Sequence, residues 1–299
     1  MRWRGRRQST NIRDVRGSSG FGRGGFGGGI GGFGRPRVIR RAGGGLGTLV
    51  VIVVVALFLG INPLELLTGG SSDVQPQGGP TTTQISGSDE MRDFVATVLA
   101  DTEDTWSAIF AESGEDYPEP TLTLFSNSVR SGCGFASDAT GPFYCPPDRN
   151  VYIDLSFYDQ LKRRFGAPGD FAQAYVLAHE VGHHVQNVLG VLTKVEERKQ
   201  RLSETEANAL SVKTELQADC LAGVWAHHTQ RRGLLEAGDV EEAINAAAAV
   251  GDDALQRRGQ GHVVPDSFTH GSSEQRVEWF RRGFEAGSID RCDTFSEEL

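Results

Sequence analysis

The string His179-Glu180-Val181-Gly182-His183 sets two imidazoles four residues apart with a carboxylate between them. On a helix this spacing brings both rings onto one face, one turn apart, close enough to share a single Zn2+, and the intervening acid can reach a water at the metal without being a ligand. The surrounding residues 176–187, VLAHEVGHHVQN, predict such a helix: Leu177, Val181, Val185 and Val188 make one apolar stripe, and His179 and His183 lie on the opposite face. A catalytic zinc takes three protein ligands, so a third must come from elsewhere. An extension with Gly at 186 and His at 189 would supply it, but the chain has Gln186 and Leu189.

Downstream, Glu215-Leu216-Gln217-Ala218-Asp219 places two carboxylates on one face of a predicted helix over 203–230. Glu215 follows His183 at a distance that lets the chain turn and return on a roughly antiparallel helix. It is the expected third ligand. Asp219, one turn on, is placed to accept the free ring N–H of a liganding histidine and fix its tautomer. Alone, these two acids would read as a solvated helix face. His184, His227, His228 and His262 have no spacing that demands a metal.

HEVGH followed by ELQAD resembles the gluzincin arrangement of zinc peptidases. The strings HEVGHHVQ, TELQADCLAGVW and THGSSEQRVEWF, with the opening MRWRGRR, FYCP at 143–146 and the closing RCDTF, resemble the bacterial family of putative neutral zinc metallopeptidases with one N-terminal membrane anchor. The resemblance implies a zincin-like domain, one Zn2+ per chain held by His179, His183 and Glu215, and Glu180 as general base. Related gluzincins carry a His-Pro segment with an Arg a few residues on, where the His steadies the developing oxyanion. Here His270 precedes Gly271 instead of Pro, and Arg276 follows at a compatible distance. His270 is therefore a candidate catalytic donor, and a solvent-exposed His at a helix start is the other reading.

The elements that must position these residues lie in a chain of uneven charge. Residues 1–42 hold eleven arginines and one acid, Asp14, a net of about +10, beside a net of about −19 in the remainder. Gly, Arg and Ser dominate that opening, which predicts a disordered basic tail. Residues 43–64 contain no charged residue and are rich in Val, Leu and Ile, long enough as a helix to cross a bilayer core of about 30 Å. The arginines before them place the N-terminus in the cytoplasm and the rest outside, in a single-pass arrangement at the cell membrane. Residues 65–88 have a tether's composition, and 89–299 the size of one domain.

Within that domain helical periodicity covers 91–113, 156–165, 170–189, 203–230, 239–250 and 273–286, with strands at Thr121–Phe125 and Asn150–Asp154 and an irregular loop or hairpin over Ser131–Pro147. The class is α+β, mostly helical with a small antiparallel sheet. No CxxC pair occurs, so the four cysteines read as disulfides, with Cys133–Cys145 stapling a polar loop and Cys220–Cys292 tying the tail to the helix of Glu215.

These features point to a membrane-anchored endopeptidase acting through a zinc-bound water, with a protein or peptide as substrate. Either predicted strand is a place for that substrate to add by β-augmentation. The competing classes are a catalytically inactive zincin fold that binds partners, and a basic-tailed membrane protein that binds nucleic acid or anionic lipid. The acidic remainder argues against nucleic acid.

Overall fold

The computed structural model describes residues 1–17 and 89–295. Helix boundaries follow local chemistry. Ser203 opens the long helix Glu204–Arg231 with a reciprocal box, its hydroxyl accepting from the Glu206 N–H while Glu206 reaches back, and Ser272 and Gln275 do the same for Ser273–Ala286. Eight helices lie among the described residues: α1 Asp89–Glu112, α2 Ser156–Arg163, α3 Asp170–Val188, α4 Val191–Lys199, α5 Glu204–Arg231, α6 Asp239–Ala249, α7 Asp252–Gln260 and α8 Ser273–Ala286. The short, polar α4 and α7 are not expected from periodicity, because α4 buries only Val195 and the buried residues of α7 are the polar Asp252 and Gln256.

The strands are β1 Ile12–Asp14, β2 Thr121–Phe125, β3 Ser128–Ser131, β4 Gly134–Ser137, β5 Phe143–Cys145 and β6 Asn150–Asp154. The main sheet runs β1-β2-β6-β5, and β3 pairs only with β4 in a separate antiparallel hairpin. The main sheet is mixed and not antiparallel as expected: β1 and β6 both run parallel to β2, and only β5 is antiparallel, to β6. A tight turn through Arg149, at φ 53°, reverses the chain between β5 and β6, and the intervening hairpin gives the chain room to bring β6 alongside β2 in the same direction. Thr121–Phe125 and Asn150–Asp154 are thus interior strands, closed to an added strand. The edge strand packed against α3 is β5.

Helix α3 runs through the centre, packed by α1, α5, α6 and β5. Phe171, Tyr175, Leu177, Val181 and Val185 are fully enclosed, and Phe171 stacks on Trp225 of α5 with centroids 5.4 Å apart. The face expected to be polar and open is enclosed too, since His179 and Glu180 retain only 7% and 8% exposure. Helix α5 covers it. Close approach there depends on Gly182, where a Cβ would stand 2.9 Å from the Ala218 carbonyl oxygen.

The α5–α8 crossing is tighter still: a Cβ on Gly223 would fall 2.1 Å from the Phe280 carbonyl oxygen, and one on Gly283 1.9 Å from that of Cys220. Both neighbours are backbone and cannot yield without separating the helices. Gly223→Ala is therefore expected to destabilise the fold by about 3 kcal/mol, read as a fall in Tm of roughly 6–12 °C for a domain of this size. Both expected disulfides, Cys133–Cys145 and Cys220–Cys292, are present.

The N-terminal segment overturns the expected topology. Met1 and Trp3 are buried in the main core, Trp3 lies edge-on to Phe94 of α1, and β1 extends the sheet beside β2. Residues 1–17 therefore belong to the same folded body as the histidine helix, and are not a disordered tail on the other side of a membrane. Their arginines are used internally, Arg4 on Glu90 and Arg7 on Glu103 and Asp104. No helix among the described residues is long and apolar enough to cross a membrane. The span expected over 43–64, the tether over 65–88 and the rest of the tail, 18–42, lie outside the described residues.

Candidate metal centre

Two helices and one loop build the site. Helix α3 supplies His179, Glu180 and His183, α5 supplies Glu215 and Asp219, and His270 sits in the loop before α8. One ligand atom each from His179, His183 and Glu215 fall within 4.8 Å of one another. The Nε2 atoms of His179 and His183 face the two Glu215 oxygens, at 3.1 and 3.5 Å.

The opposite ring nitrogens are each held. His179 Nδ1 lies 2.9 Å from Asp219 Oδ1, and His183 Nδ1 lies 2.8 Å from Gln186 Oε1. Gln186 is fixed in turn, because its amide donates to the Thr214 carbonyl and to Gln217 Oε1, which leaves its oxygen for the imidazole. Both acceptors select the tautomer protonated at Nδ1. In the neutral rings two Nε2 lone pairs then point at a carboxylate's lone pairs, and such an arrangement requires a cation between them. A proton can fill that role. Burial disfavours charge on His179, but Asp219 and Glu215 outweigh it and raise its pKa to about 10, and Glu215 raises His183 in the same way. Although burial opposes it, the charge of His183 and His270 and hydrogen bonds from both ligand-type histidines hold Glu215 well below the usual carboxylate range. Two imidazoles and one carboxylate, buried, oriented and attracting positive charge, fit a divalent ion.

Asp219 is fully buried and saturated, accepting from Tyr175 Oη and from Arg276 through Nε at 2.8 Å and Nη2 at 2.9 Å, besides its bond with His179. Arg276 therefore serves the back of the site. It is itself only 4% exposed and makes its charged bonds to Asp219, so it is not the companion of His270 that the gluzincin pattern implies. His270 is partly exposed, with Nδ1 3.4 Å from Asp252 Oδ1. Its loop hangs on Asp252 Oδ2, which accepts the N–H groups of Thr269, His270 and Gly271. Gly271 sits at φ 90° and donates its N–H, two things a proline cannot do. The departure from His-Pro is thus a different way of building the turn. Burial, first, pushes the Glu180 carboxyl up, against the charges of His179 and His183.

His184, which has no metal spacing, is fully enclosed on the far side of α3. Its Nε2–H donates to the Pro118 carbonyl at 2.6 Å and its Nδ1 accepts the Tyr144 hydroxyl at 3.0 Å. Burial drives its pKa from 6.5 down to about 4. A base whose folded pKa is depressed leaves stability intact above its unfolded value, and the loss grows as pH falls from 6.5 toward 4. Acidification across that window is expected to remove about 3 kcal/mol, a component that His184→Gln deletes from the pH–stability curve measured by denaturant unfolding.

Of the residues that hold this site, Gln186, Tyr175 and Asp252 escape sequence reasoning, because each acts through a partner distant in the chain. The histidine helix is crossed by a carboxylate helix, with the Nδ1 atoms of His179 and His183 held from behind and both Nε2 atoms turned to Glu215, an arrangement of the HExxH type. The chain belongs to the family described as putative neutral zinc metallopeptidase, whose family model matches residues 1–295. It is 49% identical to YpfJ of Escherichia coli (strain K12) across 100% of both chains. It is 40% identical to the protein Mb2605 of Mycobacterium bovis over 81% of this chain and 85% of that one. No solved structure matches.

Proposed function

We propose that the chain is a zinc-dependent metalloendopeptidase in which His179, His183 and Glu215 hold one Zn2+ and Glu180 is the general base. The observation that carries this reading is the convergence of two Nε2 lone pairs on the Glu215 carboxylate, with both Nδ1 atoms held by Asp219 and Gln186. Zinc, when bound, supplies Lewis-acid activation of water and of a scissile carbonyl.

The remaining chemistry belongs to the chain. Glu180, on the same helix and displaced one residue from His179, takes a proton from the attacking water on its carboxylate and returns it to the leaving amine nitrogen. Its buried setting raises its basicity toward that task. Burial lowers the His270 pKa but Glu215 and Asp252 outweigh it and raise it above the usual imidazole value, and in this reading His270 donates to the oxyanion of the tetrahedral state. The substrate is a protein or peptide in extended form, and the edge strand β5 (Phe143–Cys145) is the one that lies against α3 to pair with it.

Full-length protein purified with both disulfides intact is expected to carry one zinc per chain and to cleave a peptide library in a chelator-sensitive manner. Glu215→Gln is expected to lose most of the zinc while keeping the fold. Absence of stoichiometric zinc, or zinc without any cleavage, would sink the peptidase reading, and the second result would leave a partner-binding zincin fold.

A further inference from the structure

Among the described residues three buried side-chain polar atoms have no hydrogen-bond partner: Trp106 Nε1, Tyr117 Oη and Tyr158 Oη. Such groups are rare and costly in a folded chain. Tyr158 is the one at the level of the general base, and the sheet puts it there. On α3, Glu180, His184 and Asn187 share one face, and β5 runs along it. Tyr144 Oη donates to His184 Nδ1 at 3.0 Å and accepts from Asn187 Nδ2 at 2.8 Å, and the Pro146 carbonyl accepts from Asn187 beyond it. Going back along β5 from Pro146 thus leads up this face from Asn187 toward Glu180. Strand β6 is antiparallel to β5, with Val151 opposite Tyr144 and Tyr152 opposite Phe143, so it runs in that same direction and passes into α2 beside Glu180. The Phe157 ring bears this out: a Cβ on Gly141, just ahead of β5, would lie 3.7 Å from it. Tyr158, the next residue of α2, belongs to the main core and keeps 3% exposure.

Glu180 is the second group there without a partner. It is buried, and its carboxylate forms no hydrogen bond among the described residues. One group is a donor and the other an acceptor. Burial, first, and then the Glu180 charge push the Tyr158 pKa up, so the phenol stays protonated and meets the carboxylate as a donor. We propose that Tyr158 is the positioning residue of the general base: its hydroxyl donates to one carboxylate oxygen of Glu180 and leaves the other to take the proton of the attacking water.

The proposal deepens the peptidase reading and rests on it for what Glu180 does. A glutamate side chain is flexible, and a base must stand within hydrogen-bond reach of the proton it takes. Its neighbours on α3 do not hold it, since His179 is engaged with Asp219 and Glu215, and His183 with Gln186 and Glu215. A donor fixed in the core removes that freedom. Tyr144 already does the same for His184 and Asn187 further along the helix. The two phenols then make a row that orders one face of α3.

Tyr158→Phe removes only the hydroxyl. In the full chain loaded with zinc it is expected to lower kcat about tenfold, with KM and zinc content unchanged, and to add nothing to Glu180→Gln. The contact itself is read without turnover, from Tm in the presence of chelator. With Glu180 in place, Tyr158→Phe is expected to lower Tm, because the carboxylate loses its donor. In Glu180→Leu it is expected to raise Tm, because the phenol there has nothing to donate to. If Glu180→Leu fails to fold, Glu180→Gln replaces it, and the fall in Tm is expected to shrink to about half, the amide oxygen being the weaker acceptor. A Tm change of the same sign and size in both backgrounds overturns the proposal, and so does an unchanged kcat in Tyr158→Phe. A kcat loss that persists on top of Glu180→Gln also overturns it, and assigns the hydroxyl to the substrate instead. If the unaltered chain binds zinc but cleaves nothing, the peptidase reading fails, and the Tm comparison alone decides whether Tyr158 holds Glu180.

Discussion

Glu180→Gln is expected to lower kcat by about 10²–10⁴-fold while zinc content stays at that of the unaltered chain. The amide has the carboxylate's shape but no basic oxygen, so it cannot take the water's proton. No change at His179, His183 or Glu215 accompanies it, because Glu180 has no hydrogen bond to any of the three and sits beside them on α3. Stability moves the other way. Burial raises the Glu180 pKa, which means that its charged form is disfavoured in the folded state relative to the unfolded one. At pH values above that raised pKa the fold bears the penalty, and it is relieved as pH falls and the carboxyl takes a proton. Gln removes the penalty at neutral pH, so Tm is expected to rise or hold while activity collapses. A structural role for Glu180 would instead show kcat and Tm falling together, and a fully active Glu180→Gln enzyme would remove it from the mechanism altogether.

What can be read from the sequence depends on how far each residue's partner lies. His179, Glu180 and His183 are legible because one helical turn relates them, and Glu215 and Asp219 because another does. The meeting of those two turns is an inference from chain length that the α3–α5 packing then realises. Gln186 shows the limit. In the sequence it only marks where a further histidine is missing, and its use as the acceptor for His183 depends on Thr214 and Gln217 holding its amide from α5. Composition misleads at the N-terminus for a related reason. Glycine and arginine with few apolar residues read as disorder when counted alone, but Arg4, Arg7 and the Met1 ammonium are paired with acids more than eighty residues away, and Trp3 and Met1 find a core they do not themselves build. Strands Thr121–Phe125 and Asn150–Asp154 are legible as strands from alternation. Their parallel pairing, which moves the open edge near α3 to Phe143–Cys145, is a property of the connection and leaves no period in the sequence.

Asp219→Ala is expected to be the most damaging substitution for both stability and metal binding. It leaves the Arg276 guanidinium buried and without its carboxylate, and strands the Tyr175 hydroxyl and the His179 Nδ1–H beside it. Breaking one side of such a pair destabilises by about 3–5 kcal/mol, a Tm fall of roughly 6–20 °C. Zinc affinity is expected to drop by about 10–100-fold, because the acceptor that keeps the His179 proton on Nδ1 is gone. The two losses have different origins and separate in the double variant Asp219→Leu, Arg276→Leu. Replacing a buried ion pair by apolar side chains is commonly neutral or stabilising, so Tm is expected to recover, whereas His179 still lacks its acceptor and zinc affinity stays low. If affinity recovers together with Tm, Asp219 acts only by holding the helices together. Acid titration of the unaltered chain gives an independent check. Burial opposes the Asp219 charge, but Arg276 and His179 outweigh it and lower its pKa from 3.8 to about 2. The stability from this depressed carboxylate is fully present above 3.8 and is lost as pH falls toward 2. It lies below the His184 window in pH, and denaturant unfolding across pH 2–7 is expected to show the two losses as successive steps, of which Asp219→Leu, Arg276→Leu deletes only the lower.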